Sequence, residues 1–348
     1  MRLILAINPG STSTKVAVFS DSKPVYSETV AHPTSALAAF ARIADQYTLR
    51  REAVLASLAA HNVQVEALTA VVGRGGILRP IPSGTYRVNE RMLEELRAPG
   101  PREHASNLGA IVAYEIAART GIPAFIVDPV CVDEFEPLAR ISGLPEIERR
   151  SVSHALNLKA TARRAAADLG RPYEALDLIV VHMGGGISVS PHHRGRMIDV
   201  NQALDGTGPF APERAGGLPV GDVMRLCYSG RYTYQELFRR IAGQGGLVAH
   251  LGTNDAIEVE KRIAAGDAHA RLIYEAMAYQ IAKEIGAMST VLKGHVDAIV
   301  LTGGLANSEM LCGWLRERVG WIAPIMIYPG QDEMKAMVLG VLRSRTIC

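Results

Sequence analysis

Residues 3–19 read LILAINPGSTSTKVAVF. The apolar run 3–7 has the pattern of a short buried strand, and 16–19 that of a second. Between them Asn8, Pro9, Gly10, Ser11, Thr12, Ser13, Thr14 and Lys15 supply polar hydrogen-bonding groups and one cation, with no carboxylate. Pro9 and Gly10 set a turn, and a glycine lets backbone N–H groups come close to a ligand. Hydroxyls, exposed N–H groups and an ammonium are what a phosphate needs around it. A surface hairpin rich in turn formers has the same composition, so the partners offered by the rest of the chain decide between the two. The pattern G-x-x-x-x-G-K-[ST] is absent, so the stretch is not a P-loop.

The same grammar returns in the second half. Residues 176–181, LDLIVV, form an apolar strand that runs into His182, Met183, Gly184, Gly185 and Gly186, followed by a strand at 187–190. Asn8-Pro9-Gly10 and His182-Met183-Gly184 hold matching places at the heads of two similar-sized halves. That echo implies a duplicated fold with its ligand between the halves.

Further strand patterns at 24–30, 70–73, 123–127, 298–301 and 325–328 interleave with helical ones. The helices are expected at 36–61 with a break near 47–50, then at 90–97, 104–120, 157–169, 221–228, 234–242, 256–265, 267–293 and 331–343. Alternation of this kind is α/β. Asn89 is placed as a helix N-cap, and Gly121 and Gly170 stand where a left-handed residue closes a helix. In the longest helix Ile273, Met277, Ile281, Ile285, Met288 and Leu292 share one face, a core stripe.

Two more glycine loops follow strands: Arg74-Gly75-Gly76, and Thr302-Gly303-Gly304-Leu305-Ala306-Asn307. The second is a strand–turn–helix seat suited to an anion, and also an ordinary α/β connection. Residues 245–247 read as a loop. Between 131 and 153 prolines and charges break the pattern and put a domain boundary near residue 150. The expected domains are residues 1–150, completed by a C-terminal helix 333–348, and residues 151–332, the nucleotide-binding half.

At 348 residues the chain has room for two domains and a large core, and 48% hydrophobic with 21% charged residues is the balance of a folded soluble protein. A net charge of +2 gives no reason to expect nucleic acid or an anionic membrane as partner. Cys131, Cys227, Cys312 and Cys348 have neither C-x-x-C nor zinc spacing and read as reduced thiols in a cytoplasm. The first apolar run is too short for a signal peptide, and no run approaches the ~20 residues that span a bilayer.

Four stretches, in order along the chain, resemble the acetate kinase family: INPGSTSTK at 7–15, HMGGGIS at 182–188, LTGGLANSE at 301–309 and YPGQDEM at 328–334. The first two are specific to that family. Gly303-Gly304 is shared with the wider group of sugar kinases, actin and heat-shock ATPases. Chain length, PERAGGLP at 212–219 and GGLVAHLGTND at 245–255 look like its butyrate kinase branch.

The resemblance implies two actin-like (ribonuclease H-like) ATPase domains with an interdomain cleft, and ATP/ADP and Mg2+ as cofactors. It implies reversible phosphorylation of a short-chain carboxylate, butyrate or a branched four-carbon acid, by a homo-oligomer of two or more chains. Asn8, Ser11, Ser13 and Lys15 match the first phosphate loop. His182, followed by Gly184 and Gly186, matches the histidine near the transferring phosphate, and His154 matches a second active-site histidine. Asp128 and Glu333 match the two carboxylates associated with magnesium, and Gly303 and Gly304, with Asn307, the adenosine-side loop. The arginines depart from the pattern. The acetate branch has one immediately before its Val-Val-His-Gly-Gly, where Ala70 precedes Val71-Val72 here. Arg74 is the nearest candidate, and Arg214 is taken for the second.

The chemistry fits such a set. A carboxylate nucleophile is ionised at pH 7 and needs no general base. Phosphoryl transfer then needs alignment, a metal clamp and cations around the transferring oxygens. Each residue also has a plainer reading: His182 as a core histidine, Asp128 as a turn former before Pro129, and Glu333 as a helix-start carboxylate favoured by the dipole. The rival activities are acetate or propionate kinase and, outside the kinases, an actin-like ATPase acting by conformational change.

Overall fold

The computed structural model describes residues 2–98 and 104–344, so Cys348 and the end of the expected 333–348 helix lie outside the described residues. The chain divides into two compact units. One holds the residues up to Val132 together with those from Asp332 onward, and the other is Asp133–Gln331.

The first unit opens with three strands, β1 (Leu3–Pro9), β2 (Ser13–Ser20) and β3 (Lys23–Ala31), paired antiparallel. After the short α1 (Thr34–Ala38) come α2 (Tyr47–Ala60), β4 (Ala70–Arg74), β5 (Thr85–Arg87), α3 (Glu90–Arg97), α4 (Asn107–Ala117) and β6 (Ala124–Val127). The sheet runs β3-β2-β1-β4-β6-β5, with β1, β4 and β6 parallel. Leu5, Ile7, Val16, Val18, Val71 and Ile126 bury its face against Val54 and Leu58 of α2 and Ile111 and Ile116 of α4. The C-terminal helix Glu333–Arg343 packs on β1, β4 and β6. Its Gly340 lies so close to Val127 that a Cβ there would sit 2.4 Å from a valine methyl.

Two local expectations for this unit are corrected. No break interrupts 47–50. A 3₁₀ turn, Ala44–Gln46, leads straight into α2, and Arg50 Nη2 donates to Gln46 Oε1 at 3.0 Å, one turn back. The helix expected from 104 starts at Asn107. Asn89 caps α3 as expected, accepting from Met92 N at 3.0 Å. Strand β4 and helix α4 cross through paired glycines. A Cβ on Gly73 would lie 2.0 Å from Gly109 O, and one on Gly109 would lie 2.3 Å from Arg74 O. This approach, closed to any other residue, seats the end of β4 and therefore Arg74.

The second unit contains α5 (Pro137–Arg140), α6 (Ala155–Asp168), β7 (Asp177–Met183), β8 (Ile187–His193) and β9 (Arg196–Met197). Then follow α7 (Val220–Cys227), α8 (Tyr234–Ile241), α9 (Gly246–Leu251), α10 (Ala256–Ala264), α11 (Ala268–Val291), β10 (Ala298–Gly303), α12 (Glu309–Val319) and β11 (Ile325–Pro329); the C-terminal helix is α13 (Glu333–Arg343). The sheet order is β11-β10-β7-β8-β9, antiparallel through β7, β8 and β9 and parallel through β7, β10 and β11. Both sheets therefore take one path: an antiparallel three-strand meander whose first strand continues into parallel neighbours.

The 273–292 stripe is core, with Met277, Ile281 and Ile285 fully buried. Residues 245–247 are not a loop. Gly246 opens α9 with φ +57°, and a Cβ there would be 1.6 Å from Ala211 O, so a buried helix start explains the glycine. Among the described residues no helix is long and apolar enough to cross a membrane.

His192 on β8 is fully buried, its Nδ1 2.6 Å from Tyr173 Oη and its Nε2 2.8 Å from Ser190 Oγ. Burial pushes its pKa well below the usual 6.5, and the charges of Lys159 and Arg163 push the same way. Below that value the unfolded chain binds a proton that the folded chain refuses. The stabilising contribution is therefore complete above pH 6.5 and declines as the pH falls below it. Unfolding free energies from urea titrations between pH 6.5 and 5 should fall less steeply with pH in His192→Gln than in the wild type. Equal slopes would contradict the assignment.

Candidate active site

In the first unit the parallel strands end level with one another. Ile7 pairs with Gly73, and Arg74 pairs with Val127, so Asn8, Arg74 and Asp128 cluster at the carboxyl ends of β1, β4 and β6. Such ends are where open α/β sheets bind ligands. Glu333, the first residue of α13, joins two of them. Asn8 Nδ2 donates to Glu333 Oε2 at 2.6 Å, and Arg74 Nη1 donates to Glu333 Oε1. Arg74 is 9% exposed, and its Nε has no partner among the described residues. Lys15 is opposite Asn8 across the β1–β2 pair, exposed and on the same face.

Asp128 takes a left-handed conformation, φ +39°, immediately after β6. Its Oδ1 accepts from Ser83 Oγ at 2.6 Å and from Gly84 N at 2.8 Å. Asp128 and Glu333 are thus oxygen donors oriented by neighbours, the hard ligands magnesium takes one or two of, with phosphate oxygens and water completing its sphere. A carboxylate offers about four lone-pair sites, so both acids are chemically suited to that metal. Among the described residues no group of three or more His, Cys, Asp or Glu is arranged to hold a metal ion.

The loop between β1 and β2 exposes Ser11, half-exposes Ser13 and closes with Gly10 N donating to Ser13 O at 2.8 Å. Beneath it lies a residue that sequence reasoning missed. Arg50 of α2 is fully buried and donates to the carbonyls of Gly10, Ser11 and Ser13 at 2.7, 3.1 and 2.7 Å. No local signal marks it, because its partners lie 37 to 40 residues earlier.

In the second unit His182 sits one residue before the end of β7, as Asn8 does in β1. It is buried, with Nδ1 2.8 Å from Asn157 Oδ1 on α6. With that oxygen accepting, Nδ1 carries the proton, and Nε2 is the nitrogen on the Gly184 side, 3.0 Å from where a Gly184 Cβ would be. His154, the N-cap of α6, stacks on His182 with centroids 3.9 Å apart, and its Nδ1 is 2.9 Å from Ser188 Oγ. The two predicted histidines therefore form one stack, held by Asn157 and Ser188, neither of which was foreseen.

Arg214 lies against the glycine loop that follows His182. A Cβ on Gly186 would lie 2.0 Å from its Nη1, so the guanidinium packs directly on the glycine loop, and the neighbouring Glu213 covers Gly185. Arg214 Nη1 donates to Ala203 O, and burial pulls the guanidinium pKa down. Gly303 ends β10 at φ +94° with its Cα pressed on Met183, while Gly304 faces open space. The expected helix follows this loop, from Glu309 to Val319. A 3₁₀ turn, Gly304–Asn307, intervenes, and Asn307 Nδ2 locks it by donating to Gly304 O at 2.9 Å.

The Arg74–Glu333 pair is mostly buried, with side chains 11% and 15% exposed. Removing one partner of such a pair leaves a desolvated charge. Glu333→Ala should lower the unfolding free energy by about 3–5 kcal/mol in urea, and Arg74→Met with Glu333→Leu together should restore most of it. A loss below about 1 kcal/mol in the single variant would mean the pair behaves as an exposed one.

Residues 147–318 match the family model described as the Acetokinase family. Among solved structures, the acetate kinase of Porphyromonas gingivalis is similar with a TM-score of 0.79 at 18% identity, covering 98% of each chain. A propionate kinase from Francisella tularensis gives 0.78 at 19% identity, covering 98% of this chain and 99% of that one. The ROK hexokinase of Thermus thermophilus, at 14% identity and 97% coverage of both chains, reaches only 0.51. At these identities the structures speak for the fold, which follows the acetate and propionate kinases from end to end rather than the sugar kinase. The chain thus resembles the acetate kinase family in sequence over residues 147–318 and shares the fold of the acetate and propionate kinases.

Proposed function

We propose that the chain transfers the γ-phosphoryl group of ATP, with Mg2+, to a short-chain carboxylic acid, reversibly, giving an acyl phosphate and ADP. The observation that carries this reading is the convergence of Asn8, Arg74 and Glu333 at the carboxyl ends of parallel strands, beside a hydroxyl-rich hairpin loop. Both acids there, Asp128 and Glu333, already accept internal hydrogen bonds. A carboxylate acceptor suits such a site because it is ionised at neutral pH and needs neither acid as its base. The common path of the two sheets supports reading them as duplicated actin-like units.

On this reading Asp128 and Glu333 would hold the metal, which when bound neutralises charge on the nucleotide's phosphates. Lys15, Ser11 and Ser13 bind phosphoryl oxygens from the hairpin. Arg74 presents its guanidinium to the acid's carboxylate, and Asn8 adds a neutral donor. In the second unit His182, steadied by Asn157 at Nδ1 and stacked on His154, donates from Nε2 to the transferring phosphoryl group in the form that carries a proton on both ring nitrogens, and Arg214 offsets the charge that spreads over its oxygens. Gly303, Gly304 and Asn307 shape the adenosine side.

The acid is read as a four-carbon one, from the 212–219 and 245–255 stretches and the displaced arginine. Each buried methylene is worth about 0.8 kcal/mol, so two favour butyrate over acetate by roughly ten-fold in kcat/KM. A panel of acids with ATP, magnesium and hydroxylamine, which traps acyl phosphate as hydroxamate, should rank butyrate and isobutyrate above acetate. Acetate at or above them would make the chain an acetate or propionate kinase.

His182→Ala should lose mainly kcat, by about 10²–10³, because a donor aimed at the phosphoryl group acts most in the transition state. A change confined to the KM for ATP would reduce His182 to nucleotide binding.

A further inference from the structure

Among the described residues the guanidinium of Arg50 is a buried charge without a counter-charge. Besides the three loop carbonyls, Nη1 donates to Thr14 Oγ1 at 3.2 Å and Nη2 to Gln46 Oε1 at 3.0 Å. All five acceptors are neutral. Among the described residues Arg50 makes no ion pair, and its Nε is buried with no partner. Burial alone shifts its pKa, downward, with no carboxylate opposing. A desolvated cation is costly unless an anion compensates it. Among the described residues none pairs with it, and the loop above it is lined by the exposed residues Ser11 and Thr12.

The loop is also fixed from its other side. His32 N donates to Thr12 O at 2.8 Å, and His32 Nε2 is 2.8 Å from Thr14 Oγ1. The carbonyls of Gly10, Ser11, Thr12 and Ser13 are therefore all engaged by the protein. Their negative ends are withdrawn from solvent, and hydroxyls remain on the outer face.

We propose that Arg50 is a positioning residue for phosphate binding: it draws the loop's carbonyls inward, and its uncompensated charge is completed by a phosphoryl anion on the loop's outer face. The inference rests on the phosphate-loop reading of residues 8–15 given above. Arg50 touches no substrate and acts through the loop.

Hydrogen exchange of the amides in residues 10–14 tests it, comparing inorganic phosphate with chloride at matched ionic strength. Phosphate should slow that exchange in the wild type and in Arg50→Lys, which keeps the charge, and should not do so in Arg50→Met. Losing a charge-assisted contact should also raise the KM for ATP by about ten-fold or more in Arg50→Met, with a smaller rise in Arg50→Lys and little change in kcat. A purely structural role predicts lower stability in both variants with KM and the phosphate response unmoved in the folded fraction, and that result overturns the proposal. So does a wild type whose loop amides ignore phosphate, which needs no variant to fold. Should Arg50→Met fail to fold, loss of the phosphate response in folded Arg50→Lys overturns it too. Loop protection by phosphate in a protein that makes no acyl phosphate would retain Arg50 and remove the kinase reading. The converse pair of results would remove Arg50 alone.

Discussion

The carboxylate of Glu333 reaches back 325 residues to Asn8 and 259 to Arg74, and the candidate site of the first unit depends on that reach. Asn8 and Arg74 stand at the ends of strands β1 and β4, and both side chains donate to Glu333. The oxygens of Glu333 fix both at once. Glu333 can do so because α13 lies against β1, β4 and β6, with Gly340 seated on Val127. Its position at the first turn of a helix also favours the negative charge. Helix α13 thus covers a sheet begun by β1, and one side chain connects the fold to the chemistry proposed for it.

The second unit solves a similar problem with different residues. His182 takes the place on β7 that Asn8 takes on β1, and it too is held from a helix, by Asn157 of α6. Glycine provides the space around it. Gly186 admits the Arg214 guanidinium and Gly303 lies against Met183, approaches that a side chain would prevent. In each unit a polar residue near the end of the first strand is oriented from a helix, α13 after it in sequence for Asn8 and α6 before it for His182, and the loops beside it are glycine-rich. A preorganised arrangement of this kind stabilises charge as it develops without having to reorganise.

What the residues disclose in order along the chain is set by how local the information is. Strands β1, β2, β7, β8 and β10 and the loops between them are legible because each is an apolar run ended by its own turn residues. The α11 stripe and the Asn89 cap are legible for the same reason. Arg50 is not, because a helical arginine looks solvated until the β1–β2 loop is folded onto it. Asn157 and Ser188 are equally silent, since their meaning is a contact with a histidine. Arg214 had no spacing to support it and is placed only by the loop that packs it on Gly186. The start of α9 was misread because Gly245-Gly246 looks like a loop, when Gly246 marks a helix start crowded against Ala211 O.

The central claim is that phosphoryl groups pass from ATP to a carboxylate. Phosphorus-31 NMR of the protein with ATP, Mg2+ and butyrate reads the reaction directly, without a trapping reagent. The account predicts an acyl phosphate resonance that grows in step with ADP, requires the acid, and reverses to ATP when excess ADP is added. Release of ADP and inorganic phosphate at the same rate with and without acid, and no acyl phosphate signal, would contradict it.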